Sequence, residues 1–290
     1  NKFLLHKFLE EQSLPVFDTV IAHSVDEVGV CLKELKQKGY TSAAIKSQVG
    51  ASGIGMLKVS LNADLGEIPE YLFHEGPCLV QGWLDETFHD VKYIGSPSVQ
   101  MFIKEDQNSL YDVTEQILSE ESVHEGNIAP PPYFSNNKKV KEEVLCQAEQ
   151  GAQWLHDQGY RGTASADFHV VERNNCPVVY MCEINARVTG ATYPSVLARH
   201  FDGDCVWLMR NIKFSSPVKG TLILSELKEK KLLYYPDSLG GVLPINFNSN
   251  EQGAIVKGQF LFMGKALQDV YTLLDRMSQL TQVQGDFDRD

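Results

Sequence analysis

Apolar residues fall at helical spacing in some stretches of the chain and alternate with polar ones in others, and these patterns predict a mixed helix-and-sheet protein. Residues 2–12 put Leu4, Leu5, Phe8 and Leu9 on one helical face, and Ser13-Leu14-Pro15 ends the segment. Residues 17–22 form a short strand. Ser24 and Glu27 then make a capping box for a helix with Val28, Leu32 and Leu35 inward and Gly39 at its C-cap. Residues 41–47 and 56–60 are strands, 66–75 a helical turn, and 89–103 one or two strands broken near Ser96-Pro97-Ser98. A short helix is expected over 112–119, and an irregular Pro-rich connection over 124–133. From Asn136 or Asn137 a helix buries Val140, Val144, Ala148, Ala152 and Leu155 and closes at Gly159. Thr192-Tyr193-Pro194 opens another helix. Further on come strands over 221–226 and 254–263, with a Gly240-Gly241 turn between them. A last helix buries Leu267, Val270, Leu274 and Met277, and residues 282–290 form a frayed acidic tail.

The most informative alternation runs from Thr163 to Glu172 and again from Val178 to Ile184, separated by the polar loop Arg173-Asn174-Asn175-Cys176-Pro177. This is an antiparallel hairpin. With pairing symmetric about Asn175, Asp167 lies opposite Glu183, and Asn185 points to the same face. Two carboxylates roughly 5 Å apart repel unless a proton or cation sits between them. Asp167, Glu183 and Asn185 together offer the oxygen donors that a hard divalent ion accepts. Arg187 adds a fixed positive charge one strand step on, so the chemistry is that of a metal–phosphate site.

A second stretch, Lys46-Ser-Gln-Val-Gly50-Ala-Ser52-Gly53-Ile-Gly55, lies between two strands. Its glycines let backbone N–H groups approach an anion. The lysine precedes the glycines and a strand follows them, which excludes both a Walker loop and a dinucleotide fingerprint. A hairpin lid with Lys46 at its base remains. A buried-looking strand then stops at Gln81-Gly82-Trp83-Leu84, where backbone groups could meet a purine edge, although Trp83 alone fits a core position as well. Lys2 alone reads as a surface lysine.

Bulk properties narrow the classes. Net charge is −12 over 290 residues, which argues against a general nucleic-acid or anionic-membrane binder. No apolar run is long enough to span a bilayer and no signal-peptide pattern opens the chain. Six scattered cysteines without a C-x-x-C pair fit buried thiols in a reducing compartment, and the expected location is the cytoplasm. The chain opens on Asn1, already inside a helical pattern, so an upstream portion is expected to be missing.

The order is a lysine at a helix start, a lysine with a Gly-rich hairpin, a strand-to-linker hinge, and Asp…Glu-x-Asn-x-Arg. It resembles the ATP-grasp superfamily of carboxylate–amine ligases over residues 1 to about 200. Within it, Glu183-Ile-Asn-Ala-Arg-Val-Thr-Gly-Ala-Thr-Tyr-Pro194 and Gly159-Tyr-Arg-Gly resemble the amino-acid and peptide ligases. The resemblance implies an α+β ATP-grasp fold, two α/β lobes clamping a nucleotide, with the usual N-terminal lobe largely missing. Residues 1–22 would be a remnant of that region. Residues 23–84 would form the small lobe with its lid, and 85–290 the large lobe with the metal site and a C-terminal extension.

By the same resemblance Lys2 and Lys46 contact ATP phosphates, and Gly50, Ser52, Gly53 and Gly55 close over them. Gln81, Gly82, Trp83 and Leu84 line the adenine edge with Met181 in the floor, and Glu86 or Asp90 holds the ribose. Gln81 stands where the family has an acid, which leaves adenine recognition to backbone groups. Asp167, Glu183 and Asn185 ligate Mg²⁺, with Mn²⁺ as a substitute, while Arg187 and Lys46 act on the transferred phosphate. The implied reaction activates a carboxylate as an acylphosphate and joins it to an amine, with amino acids or peptides as substrates. Self-association is left open. The alternative is a non-catalytic ATP-binding module in regulation or assembly. The presence of Lys46, Asp167, Glu183, Asn185 and Arg187 together counts against it.

Overall fold

The computed structural model describes residues 1–50, 55–88, 90–119, 124–201, 203–280 and 283–284. In chain order the first elements are α1 (Lys2–Glu11), β1 (Thr19–Ala22), α2 (Val25–Gln37), β2 (Ser42–Lys46), β3 (Met56–Ser60) and β4 (Cys78–Gly82). Then come β5 (Val91–Gly95), β6 (Pro97–Ile103), β7 (Ser109–Leu118), β8 (His124–Ala129), α3 (Lys138–Asp157), β9 (Gly162–Arg173) and β10 (Cys176–Asn185). The remainder is α4 (Thr192–Phe201), β11 (Val206–Val218), α5 (Gly220–Glu229), β12 (Gly241–Ser249), β13 (Ile255–Gly264), α6 (Leu267–Ser278) and β14 (Val283–Gln284).

Among the described residues these strands make two sheets. The small one has the order β1-β4-β2-β3. The large one runs β10-β9-β6-β7-β8-β11-β13-β12, with β5 also on β9 and β14 on β11. Helix α2 closes one face of the small sheet by burying Val28, Leu32 and Leu35 against Ala43, Ile45 and Val80. Ser24 Oγ accepts the Glu27 N–H as expected, but the Glu27 carboxylate reaches back to His23 N–H, one residue before the cap. Helix α3 buries the predicted Val140, Val144, Ala148, Ala152 and Leu155 against Met101, Ala164, Phe168 and Met181 of the large sheet. Helix α1 joins this second core through Leu5, Phe8 and Leu9, with Phe8 stacked on Trp154 at 5.1 Å.

Several expectations are corrected here. Residues 112–119 are not helical: 112–118 lie in β7, whose Asp112 and Thr114 are buried and pair with Gln100 and Ser98 of β6. The expected connection over 124–133 begins as a strand, β8, set between β7 and β11, and only its end is irregular. Residues 221–226 belong to α5, which buries Ile223 and Leu227 one helical turn apart. A four-residue apolar run does not distinguish strand from helix by itself, and here the i, i+4 pair decides. The turn over 66–75 is two short 3-10 helices, Leu65–Glu67 and Glu70–Phe73. Strands β11 and β12 have no counterpart in the sequence reading. Of the tail, Val283–Gln284 pairs with β11, and its other residues, Gln282 included, lie outside the described residues.

Candidate active site

The site is organised by the β9–β10 hairpin. Its two-residue turn, Asn174-Asn175, has φ of 53° and 59°, the left-handed pair of a type I′ turn that asparagine tolerates. Pairing therefore starts at Arg173 with Cys176, centred between the two asparagines and not on Asn175, and continues to Phe168 with Met181. A bulge then inserts Cys182, and from there Asp167 faces Glu183 and Ser165 faces Asn185. The facing carboxylates are present, reached through a shift in register.

Polar contacts knit these groups together. Asp167 Oδ1 accepts from Ser98 Oγ at 2.6 Å, and its Oδ2 accepts from Asn185 Nδ2 at 2.9 Å. Asn185 Oδ1 in turn accepts from Arg187 at 2.8 Å. Glu183 is paired with Lys2, whose Nζ lies 3.0 Å from Oε1 and also donates to the Gly50 carbonyl at 3.5 Å. Burial is the main reason the Asp167 carboxyl is pushed up to about 6; the nearby Glu183 adds to this while Ser98, Arg187 and Asn185 oppose it. Burial likewise pulls the Lys46 ammonium down, and its Nζ sits 5.7 Å over the Phe17 ring.

This donor set fits a hard divalent cation. Two carboxylates face each other with the Asn185 amide beside them, and burial raises the Asp167 carboxyl although Arg187 opposes the rise. Among the described residues no group of three His, Cys, Asp or Glu side chains could hold a metal, so two carboxylates would share the ion with other oxygen donors such as phosphate.

These residues share one cleft of about 730 Å³ with Lys2, Lys46, Gly50, Gln81, Gly82, Trp83 and Leu84. Gly50 and Gly55 are described, whereas Ser52 and Gly53 of the expected lid lie outside the described residues. Gly55 has φ of 81°, and its carbonyl accepts from the Ser47 N–H at 2.8 Å. The hinge differs from the expected free strand end. Gly82 and Trp83 N–H groups already donate to Asp18 and Ser42 carbonyls, at 2.9 and 3.0 Å. The Leu84 carbonyl accepts from His169 Nε2 at 2.9 Å, and the Leu84 N–H is left without a hydrogen-bond partner among the described residues. Gln81 uses its side-chain amide to donate to Thr19 Oγ1.

Three expected positions fall elsewhere. Glu86 and Asp90 are exposed and do not line the cleft; the acid after the hinge that does is Asp85, 3.5 Å from Lys58, itself 4.3 Å over Trp83. Met181 is on the opposite face of β10, packed toward Gly151 of α3, and lines a small adjoining cavity with Lys46 and Gln81. The residue it leaves at the cleft is Cys182. Sequence reading also missed Phe17, Tyr93 and His169, an aromatic wall with ring centroids 5.6 and 6.1 Å from that of His169. Their only signal is aromatic type at scattered positions.

No family model matches the chain. A curated relative, the "[Butirosin acyl-carrier protein]--L-glutamate ligase" of Niallia circulans, is 25% identical over 197 residues, 67% of this chain and 44% of that protein. The chain thus spans less than half the length of the curated relative it matches. Among solved structures, N5-carboxyaminoimidazole ribonucleotide synthetase from Thermus thermophilus matches 97% of this chain and 72% of its own, with TM-score 0.64 and 14% identity. The biotin carboxylase domain of Hydrogenobacter thermophilus 2-oxoglutarate carboxylase, solved with MgADP, ADP and bicarbonate, matches 98% of this chain and 67% of its own, with TM-score 0.65 and 12% identity. The fold is the ATP-grasp fold, two sheets with a cleft between them. No helix among the described residues is long and apolar enough to cross a membrane.

Proposed function

We propose that the protein is an ATP-dependent, ADP-forming carboxylate–amine ligase, acting on an amino-acid or peptide carboxylate in the cytoplasm. The observation that carries this reading is the convergence of Lys2, Lys46, Asp167, Glu183, Asn185 and Arg187 on one cleft that Leu84, with its unpartnered N–H, also lines. Three cations beside two carboxylates suit a polyphosphate with its counter-ion, and the open N–H suits a purine edge.

In this reading the substrate carboxylate attacks the γ-phosphorus of ATP, ADP leaves, and an amine displaces phosphate from the resulting acylphosphate. Asp167, Glu183 and Asn185 would hold Mg²⁺, which when bound screens the phosphate charge. Lys46, Lys2 and Arg187 neutralise the oxygens of the transferred group. Gly50 and Gly55 are at the two ends of the Gly-rich segment proposed to close over the phosphates, with Ser52 and Gly53 of that segment outside the described residues. Asp85 takes the place expected of Glu86 or Asp90 beside the ribose. The relative's name describes attachment of L-glutamate to an acyl-carrier protein, which supports an amino acid as the activated acid here.

The test is Mg²⁺-dependent release of ADP and phosphate with pairs of amino acids and short peptides, alongside calorimetry with ATP. Binding of ATP and turnover with a subset of pairs is the expected result. Absence of nucleotide binding by the folded protein overturns the proposal.

A further inference from the structure

Past the carboxylates the cleft continues to a wall that includes Gln116, His124, Asn127, Thr189 and Gly190, residues that the phosphate and purine ends do not use. A directed relay of hydrogen bonds runs behind this wall. Thr114 Oγ1 donates to the Ser98 carbonyl at 3.4 Å, so its oxygen is the acceptor for Asn127 Nδ2 at 3.1 Å. That turns Asn127 Oδ1 toward the imidazole, 2.6 Å from His124 Nε2. Nε2 therefore carries the ring proton and Nδ1 keeps its lone pair.

The other side of the ring meets Gly190. A Cβ built there would lie 3.3 Å from His124 Cε1 and 3.7 Å from Nδ1. Gly190, on the loop that follows Arg187, thus packs against the ring edge without a side chain, and it and His124 both line the cleft. Thr189 and Thr192 hold that loop by donating to Gln100 Oε1 at 3.3 and 3.5 Å. Burial lowers the His124 pKa, with Lys257 adding to this and the Asn127 hydrogen bond opposing it, so the ring is neutral near physiological pH.

A fixed acceptor on a ring that lines the cleft selects a hydrogen-bond donor. Resting on the ligase reading, we propose that His124 is the catalytic residue that accepts the proton of the amine nucleophile. The amine nitrogen attacks the acylphosphate carbonyl carbon and the C–N bond forms. The carbon–oxygen bond to phosphate breaks, and phosphate leaves with the electron pair. The N–H proton passes to His124 Nδ1, while Asn127 Oδ1 continues to accept from Nε2. Solvent takes the proton when the product departs. Asn127 is a positioning residue, since it fixes which nitrogen is basic.

The two halves of the reaction separate the outcomes. The protein and His124→Ala are assayed with ATP, Mg²⁺ and each proteinogenic amino acid, using either hydroxylamine or a second amino acid as the amine. Hydroxylamine is a weak base, already neutral near physiological pH, and traps acylphosphates as hydroxamates with little need of a proton acceptor. His124→Ala is expected to slow amide formation by about 10²-fold or more, to slow hydroxamate formation by a few fold at most, and to recover amide formation on addition of imidazole. Equal losses with both amines, or no loss of amide formation, overturn the proposal. If the unaltered protein yields neither hydroxamate nor ADP with any acid, the ligase reading itself fails, a result distinct from either of those. Should His124→Ala melt out of the folded state, His124→Gln, which keeps volume and polarity but cannot take up the proton, carries the same test.

Discussion

Lys2 Nζ lies 3.0 Å from Glu183 Oε1, so the first turn of α1 is tied to the site end of β10. The lysine is 17% exposed and the glutamate 31%, a setting in which an ion pair contributes under about 1 kcal/mol to stability. Lys2→Ala should therefore leave the urea midpoint nearly unchanged. It should weaken ATP binding about tenfold, the scale of one charge-assisted hydrogen bond. Calorimetry beside urea unfolding checks both, and a large loss of stability with unchanged ATP affinity would make Lys2 a structural residue.

Ser98 is the support of Asp167, donating at 2.6 Å while its own oxygen accepts from Gln100 at 2.9 Å. Removing a hydrogen bond that orients a metal-binding carboxylate typically lowers metal affinity between about ten- and a hundredfold. Ser98→Ala should shift the Mg²⁺ concentration for half-maximal ATPase or ligase turnover upward by about tenfold. An unshifted Mg²⁺ dependence would remove Asp167 from the ligand set.

Glu115, the neighbour of cleft-lining Gln116, accepts from the Ser96 N–H at 2.6 Å and from the Tyr133 hydroxyl at 2.9 Å. Burial, the largest cause, pushes its carboxyl up to about 7 despite those two donors. The folded state thus binds this proton more tightly than the unfolded state, which titrates near 4.5, and stability from this group falls as pH rises from there through 7. In Glu115→Gln, Oε1 can still accept from Ser96 and the amide can donate to the Tyr133 oxygen. The variant should gain on the order of 3 kcal/mol at most relative to the unaltered protein at about pH 8, and little at about pH 4. Urea unfolding at both pH values decides; parallel pH dependences would mean the carboxyl stays ionised.

Gly82 lies in the hinge for a packing reason as well. A Cβ there would fall inside the Tyr40 ring, and that ring cannot retreat easily because its hydroxyl donates to Asp18 at 2.8 Å and its face meets Phe88 at 4.4 Å. Gly82→Ala should cost roughly 1–3 kcal/mol by overpacking. Unfolding at fixed pH measures this, and a neutral result would show that β4 can shift away from Tyr40.

How far the site was legible follows from how local each signal is. The hairpin could be read because alternation, the asparagine turn and the acid spacing all lie within one short stretch. The helices α2 and α3 were legible for the same reason, with Ser24, Gly39 and Gly159 marking their ends. β7 was misread because Asp112 and Thr114 are polar residues buried by distant partners: Arg199 and Trp207 bond the first, at 2.6 and 3.0 Å, and Asn127 the second. Nothing near residue 112 announces those partners. His124 was hidden in the same way, since its significance depends on Gly190 and Thr114, which only the sheet brings to it.

The bulge at Cys182 separates two structural demands on one strand. Before it, Met181 is phased to fill the α3 core; after it, both Cys182 and Glu183 lie at the cleft, and Ile184 returns to the core. The extra residue works as a phase break, so the turn at Asn174-Asn175 can set the pairing of the outer hairpin without dictating which way the carboxylate looks. A regular ladder through all ten residues of β10 would set Cys182 opposite Asp167 and turn Glu183 toward the α3 core, so it is the extra residue that gives Glu183 its place on the cleft, whereas changes of side chain in the turn leave the site's frame intact.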